Sequence, residues 1–152
     1  MPWAAANTLF AVWFGVVDLA LMLERSGEDG DQTISTNDIP DITQHLMTSY
    51  ANTLDTLYHF GARRFLILNC PPLELMPGGL RTELAIAMVN GYNQLLGDVQ
   101  KHFLAQHSTD VEAEMYLFDV HALLADIIAD PSITVQTKGL KNTTDNCWNY
   151  NP

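Results

Sequence analysis

Three short apolar runs alternate along the chain with longer segments whose apolar residues repeat at helical spacing. The runs are Leu9 to Val17, Arg64 to Asn69 and Glu114 to Asp119. The first is uninterrupted and rich in β-branched and aromatic residues, as is typical of a strand buried on both faces of a parallel sheet. Strands separated by helices form right-handed crossovers, so the pattern predicts one α/β domain over residues 1–152 with a parallel sheet.

The segments between these runs predict helices. One begins near Asp38, a common N-cap residue with Pro40 in the following turn, and ends at Gly61. A longer helix is predicted from about Leu80 to Gln106, and a short one from Val120 to Ala129. Two polar stretches predict irregular structure, the acidic loop at residues 24–31 and the tail from Ser132 onward.

The composition and charge of the chain argue against two classes of binding partner. With 47% hydrophobic and 16% charged residues, the 152-residue chain is typical of a packed globular domain. The formal net charge is −11, and the only basic doublet is Arg63-Arg64. Nucleic acids and anionic membranes bind clustered cations, so neither is a predicted partner. Asp18 interrupts the apolar stretch and no basic region precedes it, so no signal peptide or membrane span is predicted.

The sequence predicts no metal and no cofactor. It contains no His-Glu-x-x-His or related zinc spacing and no glycine-rich phosphate loop, and Asp29 and Asp31 lack the distal Glu of a calcium loop. The two cysteines, Cys70 and Cys147, leave the redox compartment open. They could pair with each other, or Cys147 could pair with a residue outside this chain.

The end of the first apolar run carries a family resemblance. The segment from Leu9 to Asp18 resembles the third conserved block of the GDSL (SGNH) ester hydrolases. The hydrophobic residues that precede Gly15 are similar to those of fungal acetylesterases in carbohydrate esterase family sixteen. The family pattern is Gly-x-Asn-Asp, and this chain has Val17 in place of the Asn. The resemblance implies that Gly15, Val17 and Asp18 are the remnant of the oxyanion block. Gly15 is expected to permit close backbone approach, and Asp18 to hold the loop by bonding backbone N–H groups.

Val17 also has a simpler interpretation. A β-branched residue at the end of a strand most often serves packing alone. If the resemblance holds, an apolar group stands where the family places a hydrogen-bond donor for the oxyanion.

The resemblance continues in order along nearly the whole chain. The matching pieces are the Asn69-Cys70-Pro71-Pro72-Leu73 turn, Asn93-Gln94-Leu95-Leu96, Phe118-Asp119, Asp130-Pro131 and Asn142-Thr143-Thr144. It implies a flavodoxin-like (SGNH) parallel sheet sandwiched by helices, and an extracellular enzyme acting on acetylated carbohydrate or a small ester. Asn142 is a possible glycosylation site if the chain enters the secretory route; without a signal peptide, the chain as printed is expected in the cytoplasm.

The residues that perform the family's chemistry are missing from the sequence. No Gly-Asp-Ser supplies a nucleophile and no Asp-x-x-His supplies a base, so no catalytic residue is predicted. We interpret the chain as an incomplete domain, lacking the first and last catalytic blocks. His59 and His102 lie four residues after an Asp and predict helix side-chain pairs with Asp55 and Asp98, and His121 follows Asp119 by two.

These observations favour an ester-hydrolase-like scaffold with impaired or absent activity. One alternative is a non-catalytic α/β binding or interaction module that uses Trp3, Trp13 and the acidic loop, and another is an unrelated flavodoxin-like protein. In the family the nucleophile strand lies beside the first strand found here. We therefore expect an open sheet edge and a chain that is poorly soluble or loosely folded. The oligomeric state is not predicted.

Overall fold

A computed structural model of the chain describes residues 4–25, 34–76, 82–143 and 145. The strands are β1 (Leu9–Val12), β2 (Arg64–Leu68) and β3 (Glu114–Phe118). The α-helices are α1 (Val16–Arg25), α2 (Ile39–His59), α3 (Glu83–Gln106) and α4 (Val120–Ala129), with short 3-10 turns at Ala5–Asn7, Thr36–Asp38 and Pro131–Ile133. None of the described helices is long and apolar enough to cross a membrane.

The three strands form one parallel sheet in the order β1-β2-β3. The register places Ala11 beside Leu66 and Leu66 beside Tyr116, so these three side chains share one face of the sheet. Because the strand order follows the chain, right-handed crossovers place α2 and α3 on the same side of the sheet. The predicted α/β class and the parallel sheet flanked by helices are confirmed.

The core lies between one face of the sheet and the helices α1, α2 and α3. Phe65 and Ile67 of β2 are fully buried in it, with Val12 and Met115 on the neighbouring strands. The helices contribute fully or almost fully buried side chains, among them Leu19, Leu54, Met88, Val89, Tyr92 and Leu96. Burial of this face accounts for the apolar residues at alternate strand positions.

The other face of the sheet carries the remaining strand side chains, and we call it the open face: Leu9, Ala11, Arg64, Leu66, Leu68, Glu114, Tyr116 and Phe118. These residues belong to no part of the buried core, and all of them are exposed or half-buried. Leu9 and Tyr116 are each 55% exposed. Among the described residues, the core helices therefore cover one side of a sheet type that is usually covered on both.

The first strand is shorter than predicted, and a helix was missed. β1 ends at Val12, and α1 begins at Val16, inside the apolar run expected to be one strand to Val17. Three residues separate the two elements, and the last of them, Gly15, has a φ of +97°. Beyond it, Leu19 and Leu23 are buried one helical turn apart. A continuous apolar run does not distinguish a strand from a strand followed by an amphipathic helix.

The other elements agree with the sequence within a few residues. α2, β2, β3 and α4 lie where they were predicted, and α3 runs without a break through Asn90-Gly91. α3 begins at Glu83 instead of Leu80, because the Thr82 hydroxyl caps it by accepting a hydrogen bond from the Ala85 N–H at 3.2 Å. The Asp38 carboxylate bonds Ser35 instead of capping α2. Residues 26–33, most of the predicted acidic loop, lie outside the described segments.

Candidate functional site

The carboxyl ends of the three strands meet at one edge of the sheet. We call this the carboxyl edge and define it as residues 13–18 after β1, 69–74 after β2 and 119–121 after β3. In open parallel sheets ligands bind beyond this edge. It contains every residue that the resemblance assigns to the oxyanion block and to the Asn-x-Pro-Pro turn.

The turn between β1 and α1 requires a glycine. Gly15 has a φ of +97°, and a Cβ at this position would lie 2.3 Å from the Tyr92 hydroxyl oxygen. That hydroxyl donates to the Phe14 carbonyl at 2.9 Å, and the Tyr50 hydroxyl donates to the Val12 carbonyl at 3.2 Å. The close approach at Gly15 is therefore made by a tyrosine ring that holds the end of β1 against the core.

Both tyrosines act as fixed donors. Burial raises the pKa of Tyr50 and of Tyr92 far above that of free tyrosine, so both hydroxyls stay protonated. Each donates to a backbone carbonyl that follows or ends β1. Because neither hydroxyl ionises at physiological pH, we infer that both serve to position the β1–α1 turn.

Val17 lies in the first turn of α1, and its side chain is 67% exposed. The interpretation that it serves strand packing is wrong, because the residue is neither in a strand nor buried. An isopropyl group at this position donates no hydrogen bond. The remaining donors at this turn are backbone N–H groups, which the first turn of a helix leaves without intrahelical partners.

Asp18 lies beside Val17 in the same turn and is exposed. Its carboxylate forms no hydrogen bond with any described backbone N–H group, so the expected anchoring of the loop is not observed. A carboxylate in the first helical turn is still favoured by the positive end of the helix dipole. Asp18 instead lines a cleft next to the turn.

The turn after β2 is held by Asn69. This residue is 6% exposed, and its Nδ2 donates to the Asp119 carboxylate at 2.9 Å while its Oδ1 accepts from the His121 N–H at 3.0 Å. The Trp13 indole N–H donates to the Asn69 carbonyl at 3.1 Å. Asn69 therefore joins the ends of all three strands. Pro71 and Pro72 are buried next to it and end the ladder, as the sequence predicts.

Cys70 is a free and fully buried thiol between these residues. Its N–H donates to the Asn93 Oδ1 at 2.8 Å, and its carbonyl accepts from the Asn93 Nδ2 at 3.0 Å. Burial, and then the nearby Glu74 carboxylate, raise the pKa of the thiol to about 12. Such a thiol is a poor nucleophile. Cys147, its possible disulfide partner, lies outside the described residues.

Glu74 and His121 form the one carboxylate–imidazole pair of the carboxyl edge. The His121 Nε2 lies 3.2 Å from Glu74 Oε1, Glu74 is 8% exposed, and its Oε2 has no partner. The neighbouring Asp119 caps α4, and the Ala122 N–H, followed by the Asn69 amide, holds the pKa of its carboxyl below the usual value. In the described part of the chain no serine or threonine hydroxyl bonds a histidine ring, so no nucleophile–base pair is assembled.

A cleft of about 310 Å³ lies beside the β1–α1 turn. Its polar lining includes Asp18 of α1 and, at successive turns of α2, His45, Ser49 and Thr53; of these, we consider Asp18, His45 and Ser49. No hydrogen bond joins these three side chains, all of which are described. No sequence signal predicts this cleft, because it lies between α2 and the unpredicted helix α1.

Two histidine pairs expected from the sequence are not formed. The His59 ring bonds the Asp55 backbone carbonyl at 2.7 Å, while the Asp55 carboxylate faces His107 at 3.8 Å. The Asp98 carboxylate pairs with Lys101 at 2.9 Å instead of His102. Spacing of four residues brings side chains within reach, but other neighbours compete for the same carboxylate.

Two further site predictions concern metals and glycosylation. The described residues contain no group of three His, Cys, Asp or Glu side chains that could hold a metal ion. Asn142 is exposed, and its amide donates to the Asp145 carboxylate at 2.7 Å. Thr144, the third residue of the glycosylation sequence, lies outside the described residues, so glycosylation stays a prediction.

The chain is similar in part to a known protein. No model of a known protein family matches the chain. Over 79 residues, or 52% of its length, the chain is 34% identical to a protein named acetylesterase from Thermothelomyces thermophilus. The match spans 22% of that protein, so the chain corresponds to a minor part of its relative. This similarity supports an esterase-like relationship.

Proposed function

We propose that the chain is an SGNH-type, acetylesterase-like scaffold that does not hydrolyse esters by itself. The 34% identity to an acetylesterase over half of the chain is the observation that carries this proposal. The position of Gly15, Val17 and Asp18 at the end of β1, and of Asn69 with its two prolines at the end of β2, supports it. Both groups lie at the edge where α/β enzymes bind substrates.

We propose that the chain alone is inactive because it lacks groups that ester hydrolysis requires. Acyl transfer requires a nucleophile, a base within hydrogen-bonding reach and donors for the developing oxyanion. Cys70 is buried with a raised pKa, and His121 is paired with Glu74 instead of a hydroxyl. Loss of a triad nucleophile or base costs about 10⁶ in turnover, whereas loss of one oxyanion donor costs about 10²–10³. The lack of a catalytic Ser and a catalytic His therefore lowers the expected turnover far more than Val17 does.

The proposal extends to a complete enzyme of this type. Segments that carry Gly-Asp-Ser and Asp-x-x-His would place the nucleophile strand at the free edge of β1 and the base at the carboxyl edge. Acetylated carbohydrates or small esters are the proposed substrates of such an enzyme. An extracellular location with glycosylation at the exposed Asn142 belongs to the same proposal.

The first experiment tests the inactivity of the chain as it stands. Purified protein is assayed with p-nitrophenyl acetate and with a fluorophosphonate probe, and the Thermothelomyces acetylesterase serves as the positive control. We expect no turnover above the buffer rate and no covalent label on the chain. Hydrolysis that a serine reagent abolishes, or a label on any hydroxyl, would overturn the proposed inactivity.

A second experiment tests the scaffold itself. In a chimera, this chain replaces its counterpart segment in the Thermothelomyces acetylesterase, which supplies the remaining segments. We expect a folded but weakened enzyme, and a gain of about 10²–10³ in turnover when Val17→Asn restores the donor. A Val111→Asn chimera, changed at an exposed turn residue far from the carboxyl edge, controls for a general effect of Asn. A chimera that folds but gains nothing from Val17→Asn removes the oxyanion-block assignment.

The alternative function, a non-catalytic binding or interaction module, stays a prediction. Of the residues on which it depends, Trp3 and residues 26–31 lie outside the described segments. Trp13 is half-exposed, but its indole N–H is engaged with the Asn69 carbonyl. No geometry in the described residues favours this function over the esterase-like scaffold.

A further inference from the structure

Two neighbouring residues of α3, Tyr92 and Asn93, reach both turns of the carboxyl edge that carry the family resemblance. The Tyr92 hydroxyl donates to the Phe14 carbonyl at 2.9 Å, in the turn after β1. The Asn93 amide bonds the backbone of Cys70 twice, in the turn after β2. Consecutive side chains of a helix point about 100° apart, and neighbouring strands lie about 4.8 Å apart. One position on α3 therefore serves the ends of two adjacent strands.

The contact between Tyr92 and the first turn is closely fitted. Tyr92 is 1% exposed, and its ring leaves no room for a Cβ at Gly15. The Gly15 carbonyl accepts from the Leu19 N–H at 2.9 Å, at the start of α1. The ring and its hydroxyl therefore restrict the direction in which α1 leaves the sheet. The same restriction applies to position 17, which lies in the first turn of α1.

Asn93 bonds the second turn in the way that a neighbouring strand would. Cys70 is fully buried and is followed by two prolines, which have no N–H to continue a ladder. The Asn93 Oδ1 accepts from the Cys70 N–H at 2.8 Å, and its Nδ2 donates to the Cys70 carbonyl at 3.0 Å. The side-chain amide thus supplies the donor and the acceptor that a peptide group would supply. This pairing holds the turn immediately before the prolines.

We propose that Tyr92 and Asn93 are positioning residues, which set the placement of the β1–α1 turn relative to the turn that begins at Asn69. The contacts lie inside the described part of the chain, so they do not depend on whether further segments cover its surfaces. The inference rests on the proposed function, in which both turns border the substrate. Catalysis is sensitive to such placement, because a shift of about 1 Å can lower turnover about 100-fold. Neither side chain is proposed to contact the substrate.

Amide hydrogen exchange of the chain itself tests the structural part of the inference. Tyr92→Phe removes the hydroxyl and keeps the ring, and Asn93→Leu removes both bonds to Cys70. We expect the Leu19 N–H to exchange about 5- to 10-fold faster in Tyr92→Phe. The Cys70 N–H should exchange faster by a similar factor in Asn93→Leu.

The matched control changes a bond of the same kind on the same helix. The Gln100 amide of α3 donates to a backbone carbonyl of β3 at 2.9 Å, away from the carboxyl edge. Gln100→Leu should leave the exchange of both turn amides unchanged. Circular dichroism confirms that each variant is folded. Asn93→Asp, which keeps the acceptor for the Cys70 N–H and loses the donor to its carbonyl, replaces Asn93→Leu if the latter does not fold.

Kinetics of the chimera with the Thermothelomyces acetylesterase test the functional part. Val17→Asn is expected to raise the turnover of this chimera about 10²–10³. We expect Tyr92→Phe or Asn93→Leu to reduce that gain about 10-fold, with KM changed less than about twofold, because the oxyanion forms only in the transition state. Gln100→Leu should leave the gain unchanged, which separates positioning from a general loss of stability.

The outcomes distinguish this inference from the proposed function. If the gain persists in full in both variants, or if neither variant speeds exchange in its turn, the inference is overturned and the proposed function stands. A chimera that folds and is active but gains nothing from Val17→Asn removes the oxyanion-block assignment and the inference together. A chimera that folds and has no activity counts against the proposed function, and the exchange rates alone then decide whether the two residues set the turns.

Discussion

The two ends of the sheet are built differently. At the amino end, the Asp110 carboxylate accepts from the Tyr58 hydroxyl at 2.6 Å and pairs with Arg63 at 2.7 Å. The Arg63 guanidinium lies 4.1 Å from the centre of the Tyr58 ring and donates to the backbone carbonyls of Tyr58 and Ala62, both at 2.9 Å. His107 stacks on the same ring at 3.7 Å. Among the polar side-chain atoms of this network, the buried His107 Nε2 lacks a hydrogen bond and lies 3.8 Å from the Asp55 carboxylate.

At the carboxyl end, hydrogen bonds from Tyr50 and Tyr92 hold the backbone at the end of β1, but the exposed side chains beside it form few bonds of their own. Val17 is 67% exposed, Phe14 is 51% exposed, and Asp18, His45 and Ser49 share a cleft without hydrogen bonds to one another. The comparison teaches that buried donors fix the backbone at the end of β1, whereas the exposed side chains beside it contribute little to that fixation. We therefore expect exposed residues of the β1–α1 turn, such as Val17, to tolerate substitution at little cost in stability.

Gly15 sharpens this comparison, because it is a constrained residue next to the exposed side chains of the β1–α1 turn. We expect Gly15→Ala to lower the free energy of unfolding by about 3 kcal/mol or more. The new Cβ imposes strain at a φ of +97° and lies 2.3 Å from the Tyr92 hydroxyl oxygen, so the ring must move and lose its bond to Phe14. Urea denaturation measures the change.

The control for this variant is another glycine of the same chain. A Cβ added at Gly97 on α3 meets nothing within 4 Å, so Gly97→Ala is expected to stabilise the helix by about 0.5–1 kcal/mol. If both substitutions had equal effects, the turn would not depend on the conformation or the close approach of Gly15.

The next prediction breaks the network at the amino end. We expect Arg63→Lys to lower the free energy of unfolding by about 2 kcal/mol, because lysine cannot reproduce the planar set of donors to Asp110 and to two carbonyls. The neighbouring Arg64→Lys is the matched control, with an expected change within about 0.5 kcal/mol since its side chain is 41% exposed. Thermal unfolding of both variants decides whether the network or general charge matters.

The sequence was most informative where clear start and stop signals bound an element. β2 ends one residue before its predicted end, ahead of Pro71 and Pro72, and α4 follows Asp119 as expected. It was least informative in the run from Leu9 to Val17, where apolar character continues from a strand into a helix. Only the conformation of Gly15 separates the two, and composition does not reveal the sign of φ.

Parts of the candidate site lay beyond prediction for a related reason. The pairing of Glu74 with His121 joins residues that are 47 positions apart, and their closeness depends on the adjacency of β2 and β3. The Asp55 carboxylate faces His107, at the end of α3, instead of His59 on its own helix. Spacing along one helix gives the reach of a side chain, whereas the fold decides which partner it meets.

Asp119 connects β3, α4 and the carboxyl edge, and its replacement tests how firmly that edge is tied. We expect Asp119→Ala to cost about 1.5 kcal/mol, since α4 loses its N-cap and the Asn69 amide loses its acceptor. Asp119→Asn keeps an oxygen acceptor and should cost less than about 0.5 kcal/mol at neutral pH. Urea denaturation at pH 7 measures both variants.

The contribution of Asp119 to stability should decrease on acidification. The Ala122 N–H and then the Asn69 amide lower the pKa of Asp119 in the folded state, so its contribution is present above the unfolded pKa of about 3.9. It is lost as the pH falls through the folded-state pKa. Asp119→Asn should therefore destabilise less on acidification than the wild type does. An unchanged acid limb would show that the carboxyl is not stabilised by these bonds.

The smallest effect is expected at Val17, where the comparison between the two ends is tested directly. Val17→Asn should change the free energy of unfolding by less than about 0.5 kcal/mol, because the side chain is exposed and packs against little. The same change at Val12, which is 6% exposed, buries an amide without partners and should cost several-fold more. In the isolated chain Val17→Asn should also leave ester hydrolysis at the buffer rate, since a donor alone stabilises no intermediate that never forms. A large loss of stability at Val17 would mean that this exposed position of the β1–α1 turn is as tightly constrained as the amino end.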